Sequence, residues 1–101
     1  MRITSPDNPV VRRLRRLADS ARACREAGRT LAEGIHVIEA ALAAGVPIHT
    51  IATRGPASNA TALLVERVEA AGAAGLKRIE LGAALYDAIS PVEHGAGVLA
   101  E

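Results

Sequence analysis

From Thr30 onward the sequence keeps changing its period. Short apolar runs rich in β-branched residues alternate with stretches that carry helical spacing. Thr30–Gly34, Ile48–Thr53, Lys77–Leu81 and Gly97–Glu101 read as strands. About Ile35–Ala44, Ala60–Ala73 and Gly82–Ile89 read as helices. Gly45 and Pro47 stop the first of these, and the Gly, Pro, Ser and Asn of Arg54–Asn59 make a loop before the second. Ser58 or Asn59 can cap that second helix, with Leu64, Val68 and Ala71 facing inward. Strands that alternate with helices bury both faces of a sheet. The pattern therefore predicts an α/β chain, with a mostly parallel or mixed sheet of about four strands and helices on both faces.

An N-terminal helix precedes this alternation. Asn8 is a good N-cap and Pro9 suits the first helical position, where its missing N–H costs nothing. Val10, Leu14, Leu17, Ala21 and Cys24 follow at steps of four and three, one apolar stripe that predicts a single helix ending at Gly28. Cys24 lies on that stripe and reads as a small core residue. With 22 alanines, one Tyr and no Phe or Trp, the core has to be Leu, Ile, Val and Ala.

Charge is split along the chain. Residues 1–29 carry eight arginines against three acids, net +5, while residues 30–101 carry four bases against eight acids, net −4. Eight Arg and no Lys in one segment suit the bidentate recognition of phosphate, hence nucleic acid. A solvated helix face explains the same charges without a ligand, and an Arg-rich transit peptide is a third reading. Arg12, Arg15, Arg16 and Arg22 fall off the apolar stripe, with Arg13 and Arg25 at its margins. Arg15–Asp19 and Arg22–Glu26 have the spacing of helical ion pairs.

Several chemistries lack their residues. The three histidines are scattered, and the single cysteine allows neither a disulfide framework nor a multi-Cys metal site, so no metal site is expected. One free cysteine fits a reducing, cytoplasmic setting. No G-x-G-x-x-G loop, P-loop or G-x-S-x-G elbow occurs, and no catalytic residue can be assigned. The longest uncharged run, Ala40–Thr53, is broken by Gly45 and Pro47 and is too short to span a bilayer, so no membrane partner is expected. Tyr86 is the sole aromatic, so base stacking has little to work with and recognition of RNA would go through phosphates, 2′-hydroxyls and shape.

Four segments in order carry a resemblance: Ile3-Thr4-Ser5 with Asn8-Pro9; Arg13-Leu14-Arg15-Arg16-Leu17; Glu33-Gly34 followed by Glu39-Ala40 and Leu42; and Ser90 with Glu93 and Gly97-Val98-Leu99-Ala100. Together they resemble the N-terminal substrate-binding domain of the SpoU/TrmH family of RNA 2′-O-ribose methyltransferases. The resemblance implies a three-layer α/β/α sandwich over residues 1–101 that binds tRNA or rRNA. It further implies a separate catalytic domain beyond residue 101, which binds S-adenosylmethionine and dimerises. This chain by itself would then hold no cofactor and transfer no methyl group. Its strand-like last residues, Val98–Glu101, agree with the first domain of a longer protein. Two departures stand out. Leu31 and Ala32 occupy the place of an aromatic before Glu-Gly, and Gly95-Ala96 replaces Pro-Gln before the last Gly.

The matching residues suggest roles. Gly34 permits a tight turn or the close approach of a phosphate to a helix N-terminus. The plainer alternative is that Gly34 fits the turn while Glu33 caps amides or pairs with an arginine. His36 stands where the family often has a basic residue; it either contacts RNA or is an idle surface histidine. Arg54, beside Gly55, follows a strand end, where ligands of such sheets gather. The RNA-binding set expected from sequence is thus Arg12, Arg15, Arg16, Arg22, Glu33, Gly34, His36 and Arg54. A free-standing RNA-binding protein of this fold and a protein-interaction module using the Ala-rich helices remain open as other readings.

Overall fold

The structure is a computed structural model that describes residues 2–71, 75–90 and 97–101. The elements run β1 (Arg2–Ile3), α1 (Pro9–Asp19), α2 (Ala21–Ala27), β2 (Ala32–Glu33), α3 (Ile35–Ala43), β3 (Thr50–Arg54), α4 (Asn59–Ala71), β4 (Lys77–Leu81), α5 (Ala83–Ile89) and β5 (Val98–Ala100). Among the described residues the sheet has five strands in the order β1-β4-β3-β5-β2. β1, β4 and β3 pair in parallel, whereas β5 runs antiparallel to both β3 and β2.

The alternation of side chains along each strand sorts the core into two layers. Ile51 packs with α3 and α4, among Ile38, Leu64, Val65 and Val68. Its neighbour Ala52 faces α1 and α5, among Val11, Leu14, Tyr86 and Ile89. Both faces of the central strand β3 are therefore covered, and the molecule is an α/β/α sandwich.

Three expectations need correction. The sheet expected to have about four strands has five, because Arg2 and Ile3 pair with Glu80 and Leu81 and Ile3 is buried. A two-residue strand is too short to show a period, so its position beside β4 had to come from packing. The predicted first helix is two. Ser20 adopts extended backbone (φ −141°, ψ 113°), and its side chain accepts from the Ala23 amide, capping α2. That break rotates α2 off the stripe of α1. Val10, Val11, Leu14 and Leu17 stay buried, Ala21 is exposed and Cys24 is half-buried. Cys24 Sγ donates to the Leu17 carbonyl across the break. Gly28 still ends the segment, in the left-handed conformation (φ 67°) that glycine adopts at little cost.

The third correction concerns α4. Ser58 is its cap, accepting from the Thr61 amide, and Leu64 and Val68 face inward as expected, but Ala71 is exposed. The expected helix end at Ala73 and the Gly95-Ala96 and Glu93 positions lie outside the described residues. No helix among the described residues is long and apolar enough to cross a membrane.

Candidate nucleic-acid interface

The cationic residues of α1 do not spread evenly around it. Arg12, Arg13 and Arg16 lie along one flank and, with Pro9, line a shallow surface groove. A second groove opens between α1 and α2, walled by Arg13, Arg16 and Arg22 with Ser20 and Glu26. Arg13 and Arg16 belong to both, so the two grooves join into one arginine-lined strip. The break at Ser20 makes this strip: it turns α2 so that Arg22 faces α1 instead of continuing along one straight cylinder.

Arg12, Arg15 and Arg16 are exposed and make no ion pair among the described residues. Arg15 lines neither groove, and the expected Arg15–Asp19 pair does not form. Arg22 pairs with Glu26 at 2.9 Å as its spacing predicts, an exposed contact of little energetic weight.

Arg13 is the residue that sequence reasoning left at the margin. Its Nε and Nη2 each donate at 2.8 Å to the two carboxylate oxygens of Glu101, and Nη2 also reaches Thr50 Oγ1 at 3.3 Å. Arg29 adds a contact to the same carboxylate at 3.3 Å, and Thr50 Oγ1 donates to it at 2.7 Å. The Glu101 side chain is fully buried. Burial pushes its carboxyl up. Hydrogen bonds from Arg13, Thr50 and Arg29, with the charge of Arg13, outweigh this and hold it below the usual carboxylate range. Only the side-chain period of β5, which points residue 101 toward α1, hints at this contact in the sequence.

The remaining expected residues lie elsewhere. Arg54 donates its amide to the Gly97 carbonyl and Gly34 donates its own to Val98, so both sit at the end of the sheet where β3 finishes. Glu101 and Thr50 exchange backbone hydrogen bonds at the opposite end, where β3 begins. The arginine cluster and the Gly34–Arg54 region are therefore not one surface.

Arg54 is engaged by Asp87 through two hydrogen bonds, at 3.0 and 3.2 Å. The contact holds the Asp87 carboxyl below its ordinary range and raises Arg54. Glu33 accepts from the hydroxyls of Tyr86 and Ser90. Gly34 has φ 100°, a conformation that a side chain rarely adopts, and its amide is already given to the sheet. It serves the turn into α3. His36 is fully exposed on α3, which packs on the other face of the sheet from α1, with Glu39 at 3.9 Å.

No group of three or more His, Cys, Asp or Glu side chains converges among the described residues. The acids at the strand ends, Glu33 and Asp87, are already held by Tyr86 and Arg54.

Comparison with known proteins agrees with this architecture. A family model described as the MRM3-like substrate binding domain matches residues 8–100. The chain belongs to that family. The crystal structure of an RNA 2′-O ribose methyltransferase superposes on this MRM3-like domain with a TM-score of 0.81 at 29% identity, over 99% of this chain and 36% of the other. An rRNA methyltransferase from Sinorhizobium meliloti shares the fold with a TM-score of 0.78 at 22% identity, over 99% of this chain and 35% of its own. Its AdoMet-bound form gives a TM-score of 0.78 at 21% identity. The MRM3-like domain thus spans about a third of the length of these structures. No curated protein matches its sequence. The resemblance to the SpoU/TrmH substrate-binding domain and the α/β/α sandwich it implied both hold.

Proposed function

We propose that this chain is the RNA-recognition domain of an S-adenosylmethionine-dependent RNA 2′-O-ribose methyltransferase, acting in the cytoplasm on tRNA or rRNA. Methyl transfer belongs to a second domain that follows residue 101 in the parent protein. S-adenosylmethionine, held in that domain, supplies the methyl group.

The arginine strip on α1 and α2, in a chain of this family, is the observation that carries the reading. Arg12 and Arg16 stand one helical turn apart, exposed and without acidic partners among the described residues. Their guanidinium forks suit the non-bridging oxygens of phosphodiesters, and Arg22 extends the track onto α2. Such contacts position an RNA without reading its bases. With Tyr86 buried, the described surface has no aromatic platform on which a base could stack. The domain therefore grips folded RNA by backbone and shape, and the choice of nucleotide falls to the geometry between the two domains.

The test is a titration of the chain with a structured RNA at several salt concentrations. The R12E/R16E double variant is compared with the native chain, and folding is checked by circular dichroism. Binding by the native chain is expected to weaken steeply with salt, and the variant's salt slope should fall by about two units. Binding that ignores salt in the native chain, or a folded variant with unchanged affinity and slope, overturns the reading.

A further inference from the structure

We infer that Arg13 is itself a phosphate-contacting residue of the strip, and that the buried Glu101 carboxylate is the positioning residue that aims it. The inference rests on the RNA-binding reading above and adds to it a contact and a device for pre-orienting it.

Glu101 places a carboxylate with no exposed side-chain surface at the end of a strand. One arginine would neutralise it. Two are present, Arg13 and Arg29, each with about a third of its side chain exposed, so the cluster keeps a surplus positive charge facing outward. Arg13 spends Nε and Nη2 on Glu101 and Thr50. Its Nη1 has no partner among the described residues, and its side chain forms part of the wall of both grooves beside Arg16.

The two-point contact fixes the plane of the Arg13 guanidinium. An exposed surface arginine such as Arg12 or Arg16 loses rotamer freedom when it grips a phosphate, which weakens the grip. Arg13 has already lost that freedom in folding. It presents two coplanar N–H groups at a set place in the groove wall, which suits a phosphodiester oxygen held at the same time by Arg16 on the next turn.

Two measurements test this. In the first, the native ¹⁵N-labelled chain is titrated with a short RNA stem-loop, and the Arg13 Nε–H resonance is followed together with the backbone amides of α1 and α2. The Arg13 resonance should shift and saturate with the amides of Arg12 and Arg16. If those amides shift while Arg13 stays in place, the inference falls and the RNA-binding reading survives. If nothing shifts, both fall.

The second measurement compares RNA affinity and salt slope for E101Q and R13K. Removing the carboxylate charge would strengthen binding if only net charge mattered. Loss of aim should instead weaken it, by about threefold or more, despite the extra positive charge. R13K keeps the charge but loses the planar fork, and its ammonium is drawn to Glu101. It should bind about tenfold more weakly, with a salt slope lower by about one unit. E101Q binding as tightly as the native chain or more so, or R13K matching it in both quantities, overturns the inference. Neither variant is needed for the resonance measurement, which uses the native fold.

Discussion

The hydroxyl of Tyr86, on α5, donates to the carboxylate of Glu33, at the end of β2, across 53 positions of sequence. It ties the edge strand β2 to a helix that packs on the central strands. Burial first, then the hydrogen bond to Glu33, push the Tyr86 hydroxyl far above the ordinary tyrosine range, so it remains a donor at any physiological pH. Glu33 is thus a structural acceptor. Tyr86→Phe removes a hydrogen bond to a charged group and should cost about 1.5–3 kcal/mol of stability. Urea denaturation would show this as a lower midpoint at constant m-value, while RNA affinity below the transition stays as it was.

The break between α1 and α2 separates two residues that share one stripe in the sequence. Leu17 is buried and Ala21 exposed. Leu17→Asp should cost several kcal/mol, a large share of the stability of a domain this size. Ala21→Asp places an acid in the first turn of α2 and should change stability by no more than about 0.5 kcal/mol. Thermal melts of the two variants decide it: similar losses would mean that the helix runs unbroken through Ser20.

Removing the cap at that break has its own signature. Ser20→Ala leaves the Ala23 amide without its side-chain acceptor and should cost about 1 kcal/mol. Since Ser20 also walls the α1–α2 groove, RNA affinity of the variant reports whether the break persists without its cap. The expected result is a lower melting temperature with RNA affinity retained well below it.

Glu101 makes stability depend on pH in a definite sense. Its carboxyl lies lower in the folded chain than its ordinary value of 4.5, so the folded state holds the proton less tightly than the unfolded state. The stabilisation is therefore complete above about pH 4.5 and is lost as pH falls through the folded value. Melts of the native chain and of E101Q from pH 7 to pH 3 should converge as acid is added. A difference that stays constant over that range would show that the charge on Glu101 contributes nothing to the fold.

Arg54 and Arg16 should behave differently toward RNA although both are exposed arginines. Asp87 already occupies two donors of Arg54, while Arg16 has no ion-pair partner among the described residues. Arg16→Gln should lower the salt slope of binding by about one unit and Arg54→Gln should leave it close to native. Equal effects from the two would place the strand-end region on the RNA surface as well.

Local pattern by itself determined most of the helices and strands and the two-sided burial of the sheet. The run Lys77–Leu81 is the observed β4. α3 and α5 end within a residue of where Gly45 and Ile89 place them. Periodicity records which side of an element faces apolar surroundings, and that information is local in the chain. Tertiary structure alone decided the rest. Arg2–Ile3 became a strand because β4 offered an edge and a buried site for Ile3. Ser20 broke a continuous stripe because its side chain could cap α2 there. β5 runs antiparallel to β3, which brings Glu101 to the start of that strand. Arg13 meets Glu101 across 88 positions, at a distance where no spacing rule operates. A buried carboxylate has to be neutralised by whichever cation the fold brings within reach, and that choice exists only once the strands have paired.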